Sequence, residues 1–515
     1  MFLPIGEFMP DSPDYNNPGS ANIHNVYPRT NQSYGPIAGF TSYSSALNGV
    51  CQGAYAGIDN GGNNYIFSGT ATDLFLLQSG LPTFSNVSKS ASVYTIAADD
   101  VWKFTQFGQI ILATDFTNAI QSYTLLSSVK FADLAAAAPK ARYITTVKDF
   151  VMVANTTDPT FGAQPQRVWW SAINDATNWP TPGSLTAAQV QSDYQDILGD
   201  QGWCQGIVGN LGTADVAIFF ERAIWRGIYV GSPAIFSFQP AEGVRGTPAP
   251  NSIVQIGAIV YYLGEDGFYS FDGSNSTPIG SLKVDKWFYS NLNQQYRYKI
   301  SGAVDPINKL VFWSYPSSNS TNGICDSMII YNWALGRWSY VDANYEFIFR
   351  ALTFGYTLDS LDTTGYNLDT LPFSLDSRIW TGGSIILAAF DSNHKLGYFT
   401  GANLAPTVQT SETDILSAIP QAVVGRVQSG ALGKRVFINS ARPISDGGTP
   451  SVALGSRNRQ IDAVVYGAAV PINTFGECPQ RVDTRYIRAQ ITHPAGDIFS
   501  HISGVDLSLV PTGTR

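Results

Sequence analysis

Val216-Ala-Ile-Phe-Phe-Glu-Arg-Ala-Ile-Trp-Arg-Gly-Ile-Tyr-Val230 is an apolar run, a charged break and a second apolar run, the pattern of a buried β-hairpin. The same pattern occurs six times along the chain. The first runs lie at Tyr65 to Phe67, Ile110 to Ala113, Phe150 to Ala154, Val216 to Phe220, Ile259 to Leu263 and Leu310 to Trp313. Their partners lie at Asp73 to Leu77, Ala119 to Leu125, Arg167 to Ala172, Ala223 to Val230, Phe268 to Phe271 and Met328 to Tyr331. The steps between Ile66, Ile111, Val151, Ile218, Val260 and Val311 are 45, 40, 67, 42 and 51 residues. Spacings of about 40 to 50 residues mark radially repeated sheets such as propeller blades. The fold is therefore predicted to be all-β, a β-propeller, with an additional C-terminal β-sandwich-like domain.

The rest of the chain divides around this array. Residues 1–50 are rich in proline and asparagine (Pro10-Asp-Ser-Pro13, Asn17-Pro-Gly19, Asn25-Val-Tyr-Pro28, Tyr34-Gly-Pro36) and are predicted to run extended over a surface as a strap. Residues 51–384 hold the propeller, interrupted by an insertion at 173–203 that accounts for the long step. Helices are predicted only at Phe131 to Ala137 and at Leu185 to Asp196. An acidic loop at 356–378 repeats Leu-Asp at Asp359, Asp362, Asp369 and Asp376. Calcium binding would suit such carboxylates, but their spacings of 3, 7 and 7 lack the regularity of a calcium β-roll, and an acidic loop anchored by its leucines fits better. From 385 to 515 the texture changes to strands with one wet face, as in Arg485-Tyr-Ile-Arg-Ala-Gln-Ile491.

Composition narrows the function. Charged residues make up 13% of the 515, against a usual share of about 25%. The net charge of −9 argues against a conventional nucleic-acid binder, whose affinity rests on Lys and Arg neutralising phosphates. Residues 1–414 carry −13 and residues 415–515 carry +4, so a basic module is joined to an acidic body. Cys51, Cys204, Cys325 and Cys478 are far apart and lie in no metal-ligand spacing, which predicts reduced, buried thiols. No secretion signal and no apolar stretch of membrane-spanning length is present, so the expectation is a soluble protein folded in a cytoplasm, with no membrane contact.

Chemistry is thinly marked. None of His24, His394, His493 and His501 sits in a nucleophile or metal motif, and neither cofactor nor metal is expected. Asp99, Asp100, Glu221, Glu265 and Asp266 lie on or beside blades, where facing carboxylates would suit a glycosidase, but the turn motif of sialidase blades is missing. Trp169-Trp170, Trp225, Trp333 and Trp338 would stack on sugars in a lectin or fill the space between sheets; packing is the simpler role. Arg222 and Arg226 flank Trp225, with Glu221 beside them as an ion-pair partner.

Taken together, the segments resemble a family: the tail nozzle, tail tubular or packaged-DNA stabilisation proteins of short-tailed bacteriophages. The resemblance rests on the four strap motifs above, on Phe219 to Gly231, on Tyr331-Asn-Trp through Trp338, on Asp376-Ser-Arg-Ile-Trp380, on Arg485-Tyr-Ile-Arg488 and on Gly504-Val-Asp506. It implies a non-enzymatic virion protein, a homohexameric ring below the portal and adaptor that retains the packaged genome and passes double-stranded DNA without reading its sequence. Asp99, Asp100, Asp359, Asp362, Asp369 and Asp376 are the candidate channel or interface residues. The alternative is a tail protein that recognises host-surface glycans.

Overall fold

The computed structural model describes residues 1–14, 17–78, 82–353, 383, 385–414 and 435–511. Five four-stranded antiparallel sheets follow one another, each formed by consecutive strands. They begin with Ala54–Ile58, Lys103–Phe107, Lys140–Val147, Cys204–Gly209 and Val254–Ile256. A sixth starts at Ser301–Asp305 and ends in the long strand Arg337–Leu352. The second half of that strand opens a seventh sheet, pairing with Ile385–Asp391, which pairs with Lys395–Asn403, which in turn pairs with Ala38–Ala46.

Strand alternation closes these sheets into a ring. Successive residues of a strand point to opposite faces, so Ile66 faces the gap toward the seventh blade, with Phe349 and Phe390, while Phe67 faces the second, with Ile111 and Tyr123. Leu112 packs with Val151 and Trp169, and Trp170 with Ile218 and Phe220. Phe219 packs with Val260 and Tyr262, Leu263 with Val311 and Trp313, and Phe312 with Ile348 and Leu387. Each of the seven gaps thus has its own apolar filling, and the architecture is a β-propeller. Ala38–Ala46 supplies the outer strand of the last blade from the chain's beginning, which covers an edge that would otherwise be open.

Three expectations change. The boundaries at 50 and 385 fall inside the propeller, because strands from both sides of them pair to make the seventh blade. The helix predicted at Phe131 to Ala137 is absent: Ala132–Asp133 is an edge strand on Gln121–Thr124, and Phe131 is buried between the first two blades. Tertiary packing overrides the helical propensity of the alanine run here. The second predicted helix is shorter, with α1 at Leu185–Val190, where Ser184 caps the amide of Ala187 and Gln191 ends it in the left-handed region. Asp193–Asp196 is then the fourth strand of the third blade.

The remaining strands form two further sheets. One contains Phe2–Pro4, Val26–Thr30, Ser33–Pro36, Ile502–Pro511, Val436–Ser445 and Cys478–Thr484. The other contains Thr407–Gln409, Tyr486–Thr492 and Ser451–Arg457, and is joined to the sixth blade through Ile23–His24. Ile438, Ala441, Val505 and Leu507 of the first share one core with Val408, Val452, Ile487 and Ile491 of the second. A short helix, α2 (Asp285–Asn291), sits between the fifth and sixth blades.

Candidate functional site

A dense set of specific contacts lies where the strap crosses between the propeller and the C-terminal sheets. Asn25 takes a left-handed conformation (φ 58°), which asparagine tolerates better than most residues. Its side chain donates to Asp342 at 2.9 Å and to the carbonyl of Ala405 at 3.0 Å, and accepts from the amide of Asp342. One residue therefore ties the propeller to the C-terminal part. His24 beside it pairs with Asp342 at 2.9 Å and stacks on Tyr340; hydrogen bonding from His24 holds the Asp342 carboxyl below its usual range.

Arg337, 6% exposed, follows the hairpin turn at Gly336, whose φ of 67° suits glycine. It donates to the carbonyls of Thr30 at 3.0 Å and Gly6 at 2.6 Å, and its guanidinium lies 4.7 Å from the centre of the Tyr34 ring. Asn332 donates to the carbonyl of Pro28 at 2.9 Å. Phe8 is fully buried against Trp287 and Tyr340, and Asp11 accepts from the amides of Lys286 and Trp287 at the start of α2. On the C-terminal side Phe2–Pro4 pairs with Gly504 to Asp506, Arg29 donates to the carbonyl of Ser500, and Ser33 bonds His501 at 2.8 Å. Arg488 reaches Asp14 at 2.6 Å and Glu412 at 3.3 Å, while Arg457 holds Glu412 at 2.6 Å.

The carboxylates singled out from the sequence fare differently. Asp99 is exposed, whereas Asp100 is partly buried and ion-paired with Arg142 at 3.1 Å; burial pushes its carboxyl up against the pull of Arg142. Asp359, Asp362, Asp369 and Asp376 lie outside the described residues, as does the Asp376 to Trp380 segment. Glu221, Glu265 and Asp266 do come together, in a cavity of about 400 Å³ that also holds Arg222 and Arg245. Arg222 lies 3.8 Å from Glu221 and donates to the carbonyl of Asp200, and Asp266 accepts from Tyr269 at 2.8 Å. Among the described residues no group of three or more His, Cys, Asp and Glu side chains is placed to hold a metal ion.

The tryptophans pack. Trp169 and Trp170 are 4% and 2% exposed, on opposite faces of one blade, so neither offers a platform to a sugar. Trp338 is fully buried and stacks on Trp313 at 6.0 Å, and Trp333 packs at the margin of the same core. Among the described residues Trp203, which the sequence reading did not single out, is the exposed tryptophan, at 56%. All four cysteines are buried and free.

Sequence reasoning also missed the carboxylates that organise the turn between the two apolar runs of several blades. Asp73 accepts from the amide of Ser92 and from Asn48 and Asn86; Asp115 accepts from the amide of Asn118, Asp158 from that of Thr160 and Asp391 from that of Asn393. An acidic residue shortly after a first apolar run was the signal at Asp115, Asp158 and Asp391, with Asx-type turns as its physical basis, whereas Asp73 opens the second run of its blade and ties down longer-range partners.

No helix of the described residues is long and apolar enough to cross a membrane. The sequence matches no protein-family model and no curated protein. Among solved structures the chain is similar to the computationally designed Ika8 protein, with 8% identity over 70% of this chain and 99% of that one at a TM-score of 0.36. It is also similar to YCF48 bound to D1 peptide, with 8% identity over 71% of this chain and 97% of that one at a TM-score of 0.37.

Proposed function

We propose that the chain is a structural tail protein of a short-tailed bacteriophage, residing in the virion tail after assembly in the host cytoplasm. Six copies form a nozzle ring that extends or closes the DNA exit channel below the portal and adaptor, retains the packaged genome and lets the duplex pass during ejection. The two C-terminal sheets with their common core act as a β-sandwich-like module, whose excess of basic residues suits docking on an acidic neighbour.

The observation that carries this reading is where the resembling segments meet. The strap motifs, Tyr331 to Trp338, Arg485 to Arg488 and Gly504 to Asp506 all take part in or adjoin the strap junction. Apart from Phe219 to Gly231, a hairpin of the fourth blade, the described segments that carry the resemblance are thus those that fix the propeller to its companion sheets, as a load-transmitting part requires. The charge supports the same reading: six copies at −9 each give about −54, and an acidic wall does not capture phosphates.

Native mass measurement of the purified protein, alone and mixed with its connector partner, tests the proposal. Six copies of a 55.7 kDa chain predict a species near 334 kDa. A protein that stays at 55.7 kDa under both conditions refutes it.

A further inference from the structure

A cavity of about 660 Å³ opens where the first strands of five blades begin, a volume in the range that takes a drug-sized ligand. Its wall carries apolar groups, among them Val50, Val101, Ile324 and Phe347, and the carboxylates, imidazole and ammonium of Asp100, Glu346, His394 and Lys299. The acidic ones are already engaged. Asp100 is paired with Arg142 at 3.1 Å. Glu346 meets His394 at 2.6 Å and accepts from the amide of Cys51 at 2.9 Å.

The two lysines at the cavity are not engaged in that way. Lys299 has no carboxylate at ion-pair distance among the described residues, and its ammonium rests 5.7 Å from the centre of the Tyr296 ring. Behind the wall, Lys103 donates at 2.5 Å to the side-chain oxygen of Asn251, itself a wall residue, and has no carboxylate partner among the described residues either. Asn251 in turn donates to the carbonyl of Tyr298, so its amide dipole is fixed with the oxygen toward Lys103. Two half-buried lysines, Lys299 on the wall and Lys103 behind it, thus stand without a carboxylate partner where the wall's own carboxylates are spoken for, on a body that is otherwise acidic. A desolvated charge without a counterion is costly, and a ligand that supplies the counterion recovers that cost.

From this arrangement we infer that the cavity is a binding site for a carboxylate attached to an apolar body. The carboxylate sits at Lys299 within the field of Lys103, and the apolar body lies against Val50, Val101 and Phe347. The same chemistry is offered by a free aromatic or aliphatic acid and by an Asp or Glu side chain on an apolar segment of a protein. The inference does not depend on the ring assembly.

The test is calorimetric titration of the full chain at pH 7 with two matched pairs. One is 2-naphthoate against its neutral amide, and the other is acetyl-Leu-Asp-Phe-amide against acetyl-Leu-Asn-Phe-amide. The site predicts saturable one-to-one binding of at least one carboxylate, at least tenfold tighter than its neutral counterpart. Lys299→Gln should weaken that binding fivefold or more and Lys103→Met several-fold, whereas Lys395→Gln on the exposed surface should leave it unchanged. Preference for naphthoate identifies a free acid as the source, and preference for the peptide identifies a protein segment. Thermal melts of both cavity variants establish that they are folded. Equal binding of acid and amide in both pairs, no binding of either acid, or an unchanged affinity in folded Lys299→Gln overturns the inference.

Discussion

Replacing Arg337 by alanine should release the strap without unfolding the propeller. The side chain makes two charge-assisted hydrogen bonds, to Thr30 and Gly6, and a cation–π contact with Tyr34. Each such hydrogen bond contributes about 1.5 to 3 kcal/mol and the ring contact about 1 kcal/mol. Removing a buried guanidinium also relieves its desolvation, which offsets a few kcal/mol of that sum and leaves a net loss of about 3 kcal/mol. Local opening of the strap should become more frequent by about 100-fold, since 1.4 kcal/mol is tenfold in an equilibrium constant. Arg29 is exposed beside the strap turn, so trypsin reports the opening directly. Under conditions where opening and closing outpace cleavage, the variant should be cut after Arg29 about 100 times faster than the native chain. The propeller fragment should remain intact, and Arg337→Lys should fall between the two. A cleavage rate within threefold of native in Arg337→Ala would refute the claim that this residue holds the strap.

Three further outcomes follow from the packing and the charges. Burial lowers the Lys103 ammonium from 10.5 to about 8, so the unfolded chain binds more protons between those values and stability rises as pH increases through that window. Lys103→Met should therefore stabilise by about 1 to 3 kcal/mol at pH 7, with the advantage gone above pH 10.5, as read by denaturant titration at both pH values. Burial raises the Asp285 carboxyl from 3.8 to about 7, against the amide of Phe268 that donates to it. The stability attached to its protonated form is full below 3.8 and lost by about pH 7, so Asp285→Asn should gain about 2 to 4 kcal/mol at pH 8 and nothing near pH 4. A Cβ at Gly69 would lie 2.1 Å from the Trp102 ring, which is itself held by a bond to the carbonyl of Thr70, so Gly69→Ala should cost about 1 to 3 kcal/mol in the same titration.

Six of the blades were legible because each is a local stretch in which apolar runs recur at regular steps, and because alternate residues such as Ile66 and Phe67 must serve two neighbouring gaps. The seventh was not, since its strands come from 38–46 and from 345–403, a separation that no local period can encode. The alanine run after Phe131 misled for a related reason: its conformation is set by pairing with Gln121–Thr124 and not by its own propensity. The packing role of Trp169, Trp170 and Trp338 was readable from their place in apolar runs. The strap junction was only half readable. Proline and asparagine marked an extended segment, but nothing in the sequence pointed from Asn25 to Asp342 and Ala405, or from Arg337 to Gly6 and Thr30, more than 300 residues away. The cavity at the starts of five blades is built by all of them at once and leaves no mark on any single stretch.

Electron microscopy of the assembled protein decides between a ring and free subunits. Class averages should show a closed ring of six propellers around an open or plugged lumen, each subunit joined through its C-terminal module. Fields of solitary molecules at concentrations where the connector partner is saturated would contradict the account.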